Sequence, residues 1–159
     1  AHLGEGTTVM PGASYINFNA GTKGKAMVEG RISSSAFIGE GSDVGGGASI
    51  LGTLSGGNER PISVGDNCLL GANSVLGIPL GNGVTLAAGV ALMPKSRVRM
   101  SMPDHPLFGK MRDAEELVGI NAATFVPSEE GFIRVLRTEK NIERAGGQGM
   151  LNDALHSNN

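Results

Sequence analysis

The chain has 159 residues and a formal net charge of −2, which argues against a nucleic-acid binder, since such proteins concentrate a basic excess on one face. No apolar run approaches the roughly 18 residues of a membrane span and no charged-then-apolar leader is visible, so the expectation is a cytoplasmic protein without membrane or nucleic-acid partners. A single cysteine, Cys68, excludes an internal disulfide and fits a reducing compartment, while 26 glycines, 4% aromatics and no Trp point to an interior built from small and β-branched residues in thin layers.

The chain begins without Met on "AHLGEGTTVMPG", which already carries a hexad from Leu3, and it reads as one part of a longer protein. The stretch "YINFNAGTKGKAMVEGR" separates Val9 from Ile32 by 23 residues, not a multiple of six, and is read as an interruption of, or bulge from, a regular coil. Regular hexads then follow: Ile32, Ile38, Val44 and Ile50 stand six apart, in "IGEGSD" and "VGGGAS". An excursion around "SGGNERP" precedes "VGDNCL" and "LGANSV", "LGIP" shortens a turn between Leu76 and Leu80, and a second run of sixes takes in Leu80, Leu86, Leu92 and Val98. The slot four places after each aliphatic residue is small or β-branched: Thr7, Ser42, Ala48, Cys68, Ser74, Val84, Val90 and Ser96.

Six is three times the strand period of two, so one hexad holds a short strand and a turn, and three hexads close a triangular coil. Such repeats bury their apolar face only by stacking. The expected fold is therefore all-β: a left-handed parallel β-helix of hexapeptide repeats over 1–102, with a C-terminal hairpin and short-helix extension over 103–159. A sandwich of short strands explains the sustained register less well. In the extension, "ATFVPSEEGFIRVLRT" reads as two strands around Ser128–Gly131, "RAGGQG" as flexible and "GMLNDALHS" as a short helix, the whole capping the last open coil.

Several residues invite chemistry. Glu29, between apolar Met27-Val28 and Gly30-Arg31, suits a general base or a nucleophile, or equally a surface acid paired with Arg31 or Lys25. Arg31 fits a carboxylate clamp as well as a surface ion pair. "GSDVGGGAS" offers backbone N–H groups that could approach a ligand or steady an oxyanion, or glycines that merely serve corners. Lys95, Arg97 and Arg99 alternate along a strand, as a phosphate-facing row or a solvated one, and Lys110 and Arg112 add positive charge. His2, His105 and His156 lie outside the regular coils and do not make a three-His zinc site. Cys68 falls in an inward small slot and reads as core.

The ordered stretch "VMPGASYINFNAGTKGKAMVEGRISSSAFIGEGSDVGGGASILGTLSGGN", followed by "CLLGANSVLGIPLGNG", resembles the tetrahydrodipicolinate N-succinyltransferases of the actinobacterial and pseudomonad branch, in their C-terminal part, densely over roughly residues 1–100. The resemblance implies transfer of succinyl from succinyl-CoA to a ring-opened amino dicarboxylate in lysine and diaminopimelate synthesis, by homotrimers with active sites between subunits. It implies Glu29 of "MVEGR" as the catalytic residue, described in that family as forming an acyl-anhydride. Arg31, Gly46, Ser49, Ala72, Ala87, Ala88 and Lys110 fall on its donor-binding positions. Two departures stand out: "PGASY" lacks the carboxylate that in the family binds metal, so ligands for a possible Mg²⁺ are not found, and an Arg-rich stretch of the family's hairpin is replaced by "FVPSEEG". Two further expectations are another CoA-dependent hexapeptide-repeat acyltransferase and an inactive β-helical trimerisation fragment.

Overall fold

Each hexad contributes a strand of two or three residues and a corner, in a computed structural model that describes residues 1–52 and 60–146. The chain visits three parallel sheets in rotation. The first holds His2–Leu3, Gly21–Thr22, Phe37–Ile38 and Ser63–Val64, with Leu80 bridged to Val64. The second holds Thr8–Val9, Ala26–Val28, Ser42–Val44, Leu69–Leu70 and Thr85–Leu86; the third holds Tyr15–Ile16, Arg31–Ile32, Ser49–Ile50, Val75–Leu76 and Ala91–Leu92. The result is a parallel β-helix.

Register explains why the period matters. In the second sheet Val9, Val28, Val44, Leu70 and Leu86 are paired one above the next, and in the third Ile16, Ile32, Ile50, Leu76 and Leu92 are. From Val28, Ile32 and Ile38 onward these positions are almost completely buried, each worth about 1.5–3 kcal/mol of apolar burial. The fourth-place slots fill the space between columns: Ser42, Ala48, Cys68, Ser74, Val84 and Val90 are buried. Many corners turn three residues after an inward aliphatic, where φ is positive, as at Gly47 (φ 72°) stacked beside Asn73 (φ 56°).

Most of the stretch read from the sequence as an interruption, residues 15–28, is instead an ordinary set of turns, while residues 29–31 form a shortened corner. Ile16, Thr22 and Val28 stand six apart on the three sheets. The pattern is hidden because Thr22, fully buried, occupies an aliphatic slot. Its hydroxyl is satisfied there by the Gly4 N–H (3.0 Å) and the Thr7 hydroxyl (2.6 Å). The irregularities lie on either side: seven residues from Val9 to Ile16, and four from Val28 to Ile32.

The second departure is at Val98. Its spacing from Leu80 would stack it on the first sheet, but Arg97–Met100 leaves the coil, pairing antiparallel with Met111–Asp113 and parallel with Ile133–Leu136. The chain returns at residues 119–125: the Gly81 N–H donates to Ile120 O (3.0 Å), the Thr85 N–H to Ala123 O (2.8 Å), and Phe125 pairs over Leu86. Thr124–Pro127 and Ile133–Leu136 form the hairpin read from the sequence, and it continues the second sheet between Thr85–Leu86 and Arg97–Met100.

A helix at Glu139–Arg144, which the sequence reading did not anticipate, is capped by Thr138 and tied down by buried Asn141, whose Nδ2 donates to Gly83 O and Ala123 O at 3.1 and 3.2 Å. The helix read in "GMLNDALHS" and most of the "SGGNERP" excursion lie outside the described residues. Among the described residues no helix is long and apolar enough to cross a membrane.

Candidate active site

The corner between the second and third sheets gathers most of the residues singled out above. After Val28 the chain reaches Ile32 in four residues, where the coils below take six from Val44 to Ile50 and from Leu70 to Leu76. Gly30 permits the shortcut, since a side chain there would collide with Ala48 O of the next coil. The Glu29 N–H donates to Val44 O (2.9 Å) and its carbonyl accepts from the Gly47 N–H (3.3 Å), so the residue is held by backbone on both sides. Its half-buried carboxylate lies over Gly46, where a Cβ would stand 3.7 Å from Oε2. Two residues on, Arg31 pairs in register with Ser49, and its Nε and Nη2 both donate to the Ser49 hydroxyl, at 2.9 and 2.6 Å. Among the described residues neither Glu29 nor Arg31 forms an ion pair, so the surface-pair alternative for both finds no support in the geometry.

Gly46, Ala72 and Ala88 occupy the same place on three successive coils. The Asn73 N–H donates to Gly46 O and the Gly89 N–H to Ala72 O, both at 2.9 Å. At a spacing of about 4.8 Å per rung, three rungs carry the corner roughly 14 Å from Glu29 to Ala88. The flanking N–H groups are used inside the fold: Gly45 donates to Leu70 O (2.8 Å) and Gly71 to Leu86 O (2.7 Å). Those of Gly46, Ala72 and Ala88 take no partner among the described residues and form a row of donors along the corner. The Gly-rich run therefore offers one free N–H beside Glu29, that of Gly46, rather than a cluster.

Ala88 opens into a cleft of about 410 Å³ lined also by Ser96, Arg97, Pro127, Ser128 and Phe132. The hairpin loop, whose sequence departs from the resembled family, thus closes this end of the corner. Ala87 is half-buried, donates to Phe125 O (3.0 Å) and packs on the core. Lys110 is exposed and lies outside the lining of the cleft. The alternating cations divide: Lys95 meets Glu115 and Arg97 meets Asp113, both at 2.6 Å, while Arg99 stacks 5.1 Å from the centre of the Phe132 ring. Cys68 is buried, donates to Gly81 O (3.1 Å), and burial pushes its thiol up, in keeping with core packing.

The sequence reading passed over Asp43. It is the outward residue of Ser42–Val44, in register with Met27 above and Leu69 below, one strand from Glu29. Burial, and secondly the negative charge of Glu29, pushes its carboxyl above the ordinary range. Period-two alternation could have placed it outward, but only the register sets it beside Glu29. Among the described residues no three His, Cys, Asp or Glu converge as metal ligands, and no step below is routed through Mg²⁺.

The parallel β-helix of hexapeptide repeats thus carries an acid, an arginine and a row of open N–H groups along one corner, and the family described as "Hexapeptide repeat of succinyl-transferase" matches residues 61–94. More particularly, the chain is homologous to the 2,3,4,5-tetrahydropyridine-2,6-dicarboxylate N-succinyltransferases. It is 51% identical to the one from a Nitratiruptor species, over 98% of this chain and 41% of that protein. It is 42% identical to the one from Pseudomonas paraeruginosa, over 100% of this chain and 44% of that protein. A Campylobacter jejuni crystal structure described as a 2,3,4,5-tetrahydropyridine-2-carboxylate N-succinyltransferase superposes with a TM-score of 0.79 at 50% identity, over 88% of this chain and 39% of that one. The chain spans about two-fifths of the length of the curated relatives it matches.

Proposed function

We propose that this chain carries the acyl-transfer site of a cytoplasmic N-succinyltransferase that moves succinyl from succinyl-CoA to the amine of ring-opened tetrahydropyridine-dicarboxylate, a step toward diaminopimelate and lysine. The observation that supports this most is the alignment of Glu29, Gly46, Ala72 and Ala88 on one corner, with unpaired N–H groups leading from the acid to the cleft. An extended donor laid along this row places its amide carbonyls on the N–H groups and its reactive carbonyl at Glu29. The Glu29 carboxylate attacks the thioester carbon, and the Gly46 N–H steadies the developing oxyanion. Arg31, pre-set by Ser49, takes the distal carboxylate of the succinyl group. Ala87 supports the corner from behind, and Lys110, with the cations near the cleft, faces the charged end of the donor. The site is completed between copies in a homotrimer.

The test is thiol release from succinyl-CoA with the dicarboxylate acceptor, with Glu29→Ala alongside. Acceptor-dependent release that falls at least about 100-fold in the variant is expected. Arg31→Ala is expected to weaken succinyl-CoA far more than acetyl-CoA; equal weakening points instead to another CoA-dependent acyltransferase. A folded trimer that binds no coenzyme A overturns the enzymatic reading in favour of a scaffold.

A further inference from the structure

The transfer proposed above leaves one proton unassigned. An amine acceptor arrives as an ammonium and cannot attack until it loses a proton, yet a Glu29 spent on the acyl group is not free to take it. The outer face of the second sheet holds one other carboxylate at this level among the described residues. Asp43 stands between Met27 and Leu69, both apolar and both in register with it, and Glu29 lies on its diagonal, two residues beyond Met27. Asp43 and Glu29 therefore lie on adjacent rungs, near enough for the negative charge of Glu29 to act on the Asp43 carboxyl. The charged group facing Asp43 is Glu29, and its cross-strand neighbours Met27 and Leu69 carry no charge. Among the described residues nothing donates a hydrogen bond to the Asp43 side chain, so its oxygens are open to a ligand. This carboxyl also holds a proton more readily than an ordinary aspartate, and carboxylate pairs held in unlike surroundings divide acid–base work in this way.

We propose that Asp43 is the catalytic base that takes the ammonium proton of the acceptor, leaving the Glu29 carboxylate to carry the acyl group. The inference rests on the N-succinyltransferase reading. In the first step a Glu29 oxygen bonds to the thioester carbon and the C–S bond breaks, giving the acyl-anhydride and coenzyme A thiolate, which takes a proton from water. In the second, Asp43 accepts one proton from the ammonium, and the freed nitrogen lone pair attacks the succinyl carbonyl of the anhydride. The C–N bond forms, the anhydride C–O bond breaks back to the Glu29 carboxylate, and the surplus proton on nitrogen leaves to solvent with that of Asp43.

The experiment compares wild type with Asp43→Asn in the full protein. Asp43→Asn is expected to lower acceptor-dependent turnover about 100-fold or more while keeping the single equivalent of thiol released by enzyme and succinyl-CoA alone. The acid limb of the kcat–pH profile is expected to disappear, and hydroxylamine, an amine already unprotonated at neutral pH, to restore turnover. Wild-type turnover retained by Asp43→Asn, or loss of the first thiol equivalent together with turnover, overturns the role of Asp43 and leaves the function reading intact. Wild type that releases no thiol with acceptor overturns that reading and this role with it. Asp43→Glu, which keeps a carboxylate, is expected to recover part of the rate with the acid limb present, and failure of rescue by both Glu and hydroxylamine in a folded variant counts against a base at this position.

Discussion

Glu29 stands where it does because the chain takes its corner in four residues instead of six. The shortcut depends on Gly30, which lets the backbone pass against Ala48 O, and it sets the Glu29 carboxylate over the bare Cα of Gly46. Gly46 has no backbone strain to relieve, since its φ is not among the left-handed values of its neighbour Gly47. A large side chain there fills space beside Glu29 without distorting the coil. Gly46→Leu is therefore expected to leave the melting temperature within a few degrees of wild type while raising KM for succinyl-CoA at least tenfold, as read by steady-state kinetics. An unchanged KM removes Gly46 from the donor path. At this scale the sequence was half legible. The triplet Glu29-Gly30-Arg31 announced itself at the break in the hexads, but Asp43 looks like any outward strand acid, and its neighbour Glu29 is 14 residues away in sequence. Ser49, which only the resemblance placed on the donor path, shows its partner once the register lays Arg31 over it.

Among the elements, the sixes predicted sheets wherever apolar slots held apolar residues and failed where another interaction won. Thr22 took a buried slot because two neighbours satisfy its hydroxyl, and so a regular coil looked like a loop. Val98 kept the spacing but lost the place, because Arg97–Met100 gains strand partners on both sides while residues 119–125 fill the coil instead. Local period cannot report that exchange, since the replacing strand lies more than 20 residues further on. A ladder of side chains marks the true path: Asp66 Oδ1 accepts from the Glu40 N–H (2.8 Å), Asn82 Oδ1 from the Asp66 N–H (2.8 Å), and Asn121 Oδ1 from the Asn82 N–H (2.7 Å). Asn121 thus belongs to the same corner as Asn82, one coil on. Leu86 is sandwiched between Leu70 and Phe125, fully buried, at the seam where the hairpin joins the coils. Leu86→Ala is expected to cost about 2–5 kcal/mol, measured by urea unfolding, because neither rigid neighbour can close the cavity. A loss below about 1 kcal/mol would mean that Phe125 repacks and that the seam is not the tight junction its register implies.

Across the whole molecule the two ends of the apolar column differ. At one end Phe125 lies over Leu86 and the hairpin and helix follow; at the other, Leu3 and Val9, which the register places in the same columns, are 51% and 37% exposed. The covered end is held partly by Arg137, which donates to Ala122 O (2.7 Å) and Asn121 O (2.9 Å) of the last coil and stands near His105 of the segment that left it. His105 Nδ1 accepts from the Leu107 N–H (3.1 Å), a bond available only while that nitrogen is unprotonated. Burial, and then the charge of Arg137, holds the imidazole below its ordinary value of about 6.5, while burial lowers Arg137 itself and the charge of Asp104 acts on it in the opposite sense. The folded state therefore binds this proton less readily than the unfolded chain does. Its contribution to stability is fully present above about pH 6.5 and is lost as pH falls through the lower folded value. Asp43 acts in the opposite sense near the acid end, since a raised carboxyl favours the fold below its ordinary value of 3.8 and loses that advantage as pH rises through the folded value. The two contributions have opposite signs, so a variant at each position reads them apart. Between about pH 7.5 and 5.5 the melting temperature is expected to fall, and His105→Gln, which keeps an acceptor but cannot be protonated, is expected to flatten that slope while Asp43→Asn leaves it in place. Equal slopes in wild type and His105→Gln would show that the junction at Arg137 does not sense pH, and would move the origin of any acid sensitivity elsewhere in the coils.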